Sequence, residues 1–431
     1  MKFFKKAKKT YNAGQYYKAV DMYREAYDKI QGRYIKDEIT FKIAECYRKT
    51  SQPRRAELWY SNAIKRDYDN PLIYLYHANA LKTNEKFDEA IESYKEYQKL
   101  KPDDPRGERG VKSCTLAKQW KENPSGYKIA KQRFLNSTAR DFCPTYSKAE
   151  YNEIYFTTSR EECTGEETHG GTGEYFTDIF YSQKDVSGRW SDPEPIPGDV
   201  NTDVEEGTAS FTDNYSTMFF TRCEVDNQKT MGCNILRTEK DNGEWVNPEP
   251  LSIAADSLVV AHPAISGDGS TLYFVSNIPG VYGKMDIWKV TRNDDEWSEP
   301  VNMGDQINTP GNEMFPFIHP DGTLYFSSDY HLGMGGLDIF KATVQNNGEY
   351  KIKNMRYPIN STHDDFGIVF EEEKEKGHFS SSREGDDEIF SFVLPPLKFS
   401  IEGVVKDKKT EDPIQNASVK LVGSDGMTMS S

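Results

Sequence analysis

The sequence predicts a multidomain α + all-β chain: an N-terminal α-solenoid, a five-bladed β-propeller and the start of a β-sandwich. Three observations predict it. A small-x3-aromatic pattern returns three times before residue 100. From residue 141 an aromatic pair and an acidic-Ile-aromatic triplet recur together in five units. After Pro395-Pro396 the apolar residues alternate around a turn. At 431 residues there is length for two to four domains, and the 26 Tyr and 23 Phe supply aromatic cores.

The helical part is read from side-chain spacing. Ala19, Tyr23 and Ala26, then Ala56, Tyr60 and Ala63, then Ala90, Tyr94 and Tyr97 sit at offsets of four and three, one face of a helix each time. Small residues let two helices approach while the aromatic fills the groove between them. These residues, with Gly14, Tyr16, Ala44, Tyr47, Tyr74, Ala78, Phe87 and Pro102, resemble the tetratricopeptide repeat family over about 3 to 33, 37 to 70 and 71 to 104. Ser51 stands where that pattern expects Gly, and Tyr97 where it expects a small residue. A further helix at about 106 to 121, with Val111, Cys114 and Trp120, is expected to cap the stack, which places the array at 1–121. The family resemblance implies a concave groove for a partner, with Tyr11, Tyr47, Tyr74 and His77 as its candidate lining; the plain alternative is that such tyrosines are core.

The propeller is read from its repeats. The aromatic pair stands at Tyr155-Phe156, Phe219-Phe220, Tyr273-Phe274, Tyr325-Phe326 and, weakened, His378-Phe379. The triplet stands at Asp178-Ile179-Phe180, Asp286-Ile287-Trp288, Asp338-Ile339-Phe340 and Glu388-Ile389-Phe390, with Asn234-Ile235-Leu236 as a degenerate copy. Each unit reads as strand, turn, strand, Gly-rich loop, strand, and an outer strand opens on Trp190, Trp245, Trp297 or Tyr350. Asp178, Asp286 and Asp338 suit a structural role, bonding local backbone N–H groups. The fifth unit lacks an outer strand, because Phe392 leads into Leu394-Pro395. Residues 127 to 134 parallel the outer strand after Tyr350 and are expected to supply it, which sets the propeller at 127–394 and removes its free sheet edges. The Ser-x-Asp-Gly-x-x-Leu-Tyr-Phe and Asp-Ile-aromatic motifs resemble the TolB-like propeller repeats.

Residues 395–431 form a linker and a partial β-sandwich. Gly403-x-Val405-x-Asp407 followed by Pro413-Ile414 and Ala417-x-Val419-x-Leu421 looks like the opening of a carboxypeptidase-regulatory-like domain. Two or three strands are too few for an independent sandwich.

Charge is divided unevenly. Residues 1 to 121 carry 27 Lys+Arg against 17 Asp+Glu, and the rest of the −15 chain holds the acidic excess. The basic residues alternate with acids at helical spacing, the mark of a solvated face, so nucleic acid is not an expected partner. Cys223 and Cys233 bracket a loop between two strand-like runs; an oxidising compartment would join them, a reducing one would leave two thiols. The seven histidines make no His-Glu-x-x-His, no Cys-x-x-Cys is present, and no Gly-x-Ser-x-Gly elbow occurs, so no catalytic residue, metal or cofactor is expected.

The order of modules is similar to that of the PorE-like family of Bacteroidota envelope proteins, associated with type IX secretion and gliding, whose members end in an OmpA-like domain. The resemblance implies a non-catalytic periplasmic scaffold, associated with the outer membrane and binding secretion or gliding proteins. Neither an export signal nor the peptidoglycan-binding domain is visible here, so wall contact would need a further domain. A TolB-like propeller that binds small ligands in its channel is the alternative, and a propeller hydrolase or lyase a third.

Overall fold

The computed structural model describes residues 2–226, 229–255, 257–280, 282–293, 296–371, 375–396, 403–422 and 428–430. The chain divides into two compact units, Met1–Leu394 and Pro395–Ser431. In the second, Lys420–Val422 pairs antiparallel with Thr428–Ser430 and a bridge joins Lys406 to Pro413. Ile401 lies outside the described residues.

The first unit begins with helices Lys2–Asn12, Tyr16–Lys29, Arg33–Lys49, Pro53–Lys65, Leu72–Thr83, Phe87–Leu100 and Arg106–Glu122, each packed on the next. Alanines 19, 26, 56, 63, 78 and 90 are buried at the crossings, where Tyr23, Tyr60 and Tyr94 fill the space between backbones. The Tyr60 hydroxyl donates to Glu45 and that of Tyr94 to Asn79 Oδ1 at 2.7 Å, so two of these phenols keep a partner when buried. Among the described residues no helix is long and apolar enough to cross a membrane.

The remainder is a five-bladed β-propeller. Its inner strands are Asp141–Tyr146, Glu205–Phe211, Val260–Ile265, Glu313–Ile318 and Asp365–Phe370. Each pairs antiparallel with a second strand, and that with a third: Glu153–Thr158 and Asp178–Gln183, Thr217–Asp226 and Lys229–Asp241, Thr271–Ser276 and Asp286–Asn293, Leu324–Ser328 and Asp338–Val344, Lys376–Ser381 and Glu388–Val393. The outer strand of the last blade is Lys128–Lys131, which pairs with Glu388–Val393. The chain's earliest strand therefore completes its last blade.

Side chains at the outer strands explain why an aromatic pair repeats. Each outer aromatic packs against the first member of the pair in the preceding blade. Trp245 donates its indole N–H to the Tyr155 hydroxyl at 3.1 Å, Trp297 lies edge-on to Phe219, and Tyr350 packs with Tyr273. Around the seam Tyr127 packs with Tyr325, and Trp190 of the first blade lies 6.0 Å from His378 of the fifth. A single blade cannot bury both faces, and this contact buries one of them.

A second repeated device ties consecutive blades together. Asn201, Asn308, Asn360 and Asn136 each bond both the N–H and the C=O of the Ile in a triplet: Ile179, Ile287, Ile339 and Ile389, at 2.8 to 3.0 Å. The next residue, Thr202, Thr309, Ser361 or Ser137, donates its N–H and its hydroxyl to the carboxylate four positions on. Those carboxylates, Glu206, Glu313, Asp365 and Asp141, open the inner strands of the following blades. Arg222, Arg383 and Arg160 neutralise three of them, while Glu313 takes the Ser328 hydroxyl at 2.6 Å. Buried carboxylates are stable only with such partners.

The helices rest on the face of the ring where the inner strands begin. Lys82 Nζ donates to the Gly335 carbonyl at 2.7 Å and Ser113 Oγ to that of Gly333 at 2.5 Å, both in the loop before Asp338. Ala117 and Trp120 enclose Met334. At the first blade, Gly173 (φ +85°) lies under Tyr17, and a Cβ there would come within 2.8 Å of that ring. Helices and ring share one compact unit, Met1–Leu394.

Candidate functional site

The face opposite the helices opens into a central cavity of about 770 Å³, walled by all five inner strands. Its depth is set by a bulge at the same place in every strand. Register shifts after Phe142, Gly207, Ala261, Met314 and Phe366 put Cys143, Thr208, His262, Phe315 and Gly367 at φ between +51° and +58°. Four of these five carry side chains, and a non-glycine residue in that region costs roughly 1 to 2 kcal/mol. Strain repeated at one level of the channel re-aims the side chains there.

Two of those side chains, His262 and Phe315, give the cavity an aromatic floor, backed by the rings of Phe366 and Phe142. The His262 ring stacks on Phe315 with centroids 4.0 Å apart, Phe315 lies 4.6 Å from Phe366, and Phe366 6.1 Å from Phe142. The Phe315 backbone N–H donates to His262 Nδ1 at 3.3 Å, so the neutral ring carries its proton on Nε2. Burial pushes the His262 pKa down to about 3, which keeps it uncharged at neutral pH.

Among the described residues no Lys or Arg lines the cavity, and its two carboxylates, Asp213 and Asp268, are exposed near the hairpin turns. Asp268 is turned onto the hydroxyls of Ser266 and Ser270, and those bonds lower its pKa. His319 is paired with Asp321 at 2.9 Å. Every blade contributes rings, among them Tyr146, Phe211, Tyr273, Phe317 and Phe370, and between them stand small and hydroxylic residues such as Thr145, Thr208, Ala209 and Ser210. Such a surface accepts a molecule with an apolar face and a few uncharged polar groups.

The residues singled out by sequence fall elsewhere. Asp178, Asp286 and Asp338 open the third strands, buried, and accept backbone N–H groups from Thr164, from Tyr282 and Gly283, and from Gly335. Burial raises Asp178 to about 6 and Asp338 to about 7. Trp190, Trp245 and Trp297 are the blade contacts described above. Cys223 and Cys233 are directly opposite in their hairpin and form a disulfide.

The four groove candidates do not share a free surface. Tyr47 is 4% exposed. Tyr11 packs edge-on to Tyr16 and Tyr23, Tyr74 packs between two core clusters, and His77 is held between Ser61 and Ser93 hydroxyls at 2.9 and 3.2 Å. Tyr47 is thus core, and Tyr11, Tyr74 and His77 are half-buried. The floor residues His262 and Phe315 carry no sequence signal, because one residue per blade at a bulge leaves no local pattern.

Fold and cavity together define a five-bladed propeller with helices on one face and a ligand-sized funnel on the other. No family model and no curated protein matches the chain. Solved structures resemble it at low identity. A mannose phosphorylase from Leishmania mexicana is 12% identical with a TM-score of 0.42, covering 65% of this chain and 92% of that one. An α-L-arabinofuranosidase from Lactobacillus brevis is 10% identical with a TM-score of 0.38, covering 69% and 97%. A thermostable family-43 glycoside hydrolase is 15% identical with a TM-score of 0.38, covering 66% and 98%. At these identities the likeness is one of fold. It corrects the expectation of a non-catalytic scaffold: the similar propellers are named as enzymes, so the absence of a sequence motif for catalysis gave no ground for excluding one.

Proposed function

We propose that the propeller binds a small, uncharged, partly apolar organic molecule in its central funnel. The observation that carries this reading is the conjunction of a ring-shaped floor, His262 stacked on Phe315, with a wall among whose described residues no side chain is cationic, in a chain of 54 Lys+Arg. An anionic ligand would be stripped of water there without a cationic partner. Neutral molecules lose little on entry and gain from contact with the rings. The neutral imidazole offers its Nε2–H as a donor to whatever is bound, so product formation belongs in the same assay.

The test is a thermal-shift and calorimetric screen of neutral saccharides, aryl glycosides and other uncharged ring compounds. A ligand at 100 times its Kd stabilises the fold by about 2.7 kcal/mol, a shift of a few degrees. The expected result is a neutral ligand whose shift disappears in Ala209→Trp, which puts a bulky ring at a small position of the funnel wall. Shifts produced by charged compounds alone, or shifts that persist in Ala209→Trp, would refute the reading.

We further infer that the helices are tetratricopeptide repeats, that the tail opens a carboxypeptidase-regulatory-like sandwich, and that the chain is a PorE-like envelope protein of the periplasm with outer-membrane secretion or gliding proteins as partners. Module order supports this, and so does the Cys223–Cys233 disulfide, which an oxidising compartment preserves. Cell fractionation with non-reducing electrophoresis tests the location; a cytoplasmic, fully reduced protein would overturn it.

A further inference from the structure

The outer face of the first helix, Lys2–Asn12, carries one sign of charge. At 3.6 residues per turn, Lys2, Lys5, Lys6 and Lys9 fall within roughly 100° of arc, on the side opposite the buried Phe4 and Ala7. All four are exposed, and the helix contains no Asp or Glu. Its remaining lysine, Lys8, stands to one side and reaches Glu38 at 3.4 Å. Among the described residues none of the other four enters an ion pair or a side-chain hydrogen bond.

Four exposed lysines further along the array are each matched by an acid. Lys95 pairs with Glu92 at 2.8 Å, Lys99 with Glu96 at 2.6 Å, Lys112 with Glu108 at 2.5 Å and Lys118 with Asp88 at 2.8 Å. The unmatched face also begins well away from the ring's contact with this helix pair. That contact is at the turn, where Gly171 lies near the Gly14 carbonyl and Gly173 under Tyr17. Lys2 is roughly 15 Å further along the axis, at about 1.5 Å per residue. Beside the lysines Phe3 is 41% exposed, with Lys29 Nζ 3.9 Å from the centre of its ring. The side of a helix is convex, so four flexible ammonium groups on it offer no groove to a peptide and no fixed fork to a single phosphate. They suit a flat, diffuse layer of negative charge that meets all of them at once.

We propose that the outer face of the first helix docks on a lipid surface bearing anionic headgroups, with Lys2, Lys5, Lys6 and Lys9 among the phosphates and Phe3 at the boundary with the acyl chains. The net charge of −15 does not oppose this. Charges beyond a Debye length, ~10 Å at 0.1 M salt, are largely screened, so the lipid senses the nearest helix before the acidic ring. The acidic excess of the ring instead orients the chain, turning that part away from the surface. The site is independent of the central funnel and of the ligand assigned to it.

The test is co-sedimentation of the whole chain with phosphatidylcholine vesicles containing about 30% phosphatidylglycerol, beside vesicles of phosphatidylcholine alone. The expected result is binding to the anionic vesicles only, released by about 0.5 M salt. Each lysine near such a surface contributes roughly fivefold, so Lys6→Gln should weaken partitioning about fivefold. Lys2→Gln, Lys5→Gln, Lys6→Gln and Lys9→Gln together should weaken it more than about 100-fold at an unchanged melting temperature, since Gln keeps an exposed helix intact. Phe3→Ser should weaken it a few-fold. Removing the same charge at Lys95, Lys99, Lys112 and Lys118 should leave binding as it was, which separates this face from the net charge of the chain. Absence of binding to the anionic vesicles, equal binding to the neutral ones, or equal loss in the two fourfold variants would each overturn the proposal. Equally tight, lysine-dependent binding of soluble polyglutamate would overturn it too, and would assign the face to an acidic peptide.

Discussion

The second and fourth blades close onto their neighbours in different ways. After the fourth, Asn360 bonds both backbone groups of Ile339 and also Asn354, and Ser361 caps Asp365 at the head of the next inner strand. After the second, the position equivalent to that asparagine is Ala255, and the next inner strand opens on Val260 where the other four carry a carboxylate. That blade instead has the two longest strands of the ring, Thr217–Asp226 and Lys229–Asp241, and a disulfide across them. One junction is held by directed hydrogen bonds in a dry setting; the other replaces them with a covalent tie inside the blade. The degenerate triplet Asn234-Ile235-Leu236 is the sequence trace of the exchange.

The comparison can be broken most severely at Asn360. Asn360→Ala removes three bonds from a site with no exposure and leaves the Ile339 N–H and C=O without those partners, so a loss of about 2–4 kcal/mol is expected in urea unfolding. A cost under about 1 kcal/mol would mean that the asparagine clamp does not carry the junction.

A somewhat smaller loss is expected at the second blade. Reducing Cys223–Cys233, which closes a loop with a sequence separation of 10, should cost about 2–3 kcal/mol. The matching check is that Cys233→Ser melts lower than the oxidised parent and becomes indifferent to reductant. If reduction leaves the melting temperature of the parent unchanged, the covalent tie is not what substitutes for the clamp.

The smallest effect concerns Glu313, the one carboxylate of the four without an arginine. Burial raises it to about 7, opposed by bonds from Ser328 and Thr309 and helped by the charge of Asp329. A folded-state value above the unfolded one means that protonation favours the fold. The contribution is complete below the unfolded value near 4.5 and is lost as pH rises through about 7. Between pH 5 and 8 the parent should therefore lose about 1–3 kcal/mol relative to Glu313→Gln, read from paired denaturation curves. Parallel curves would show that Glu313 is ionised throughout.

The sequence exposed the blades because each places the same side-chain types at the same strand positions. The pairs from Tyr155-Phe156 to His378-Phe379 repeat since every blade meets the next through one of them, and Tyr127 was recognisable by its likeness to Tyr350. The Asn-Ser/Thr clamps were equally regular, at 136, 201, 308 and 360, each five positions before an acid. Asn and Ser are common in loops, so these pairs look like ordinary turn residues, and the fixed interval between motif and strand is the signal that distinguishes them. The funnel was less legible. His262, Phe315 and Phe366 are far apart in the chain and become neighbours only when five inner strands converge. Bulges also break the alternation from which inward and outward positions are read. Tyr47 and His77 show the opposite difficulty: helical spacing identifies an inward face without saying whether the space behind it is groove or core.

The strand Lys128–Lys131 has a consequence for how the protein is made. Ala130 and its partner Ser391 are 261 residues apart. During synthesis the strand emerges before any blade exists and must wait, with an unpaired edge, until the last blade leaves the ribosome. At a typical elongation rate that interval is on the order of ten seconds or more. A product truncated anywhere before Glu388 holds at most four complete blades and a bare strand, and never closes. The helices made first occupy the same nascent chain and later rest on the ring, so a chaperone that shields the waiting edge would bind the incomplete chain and release the finished one.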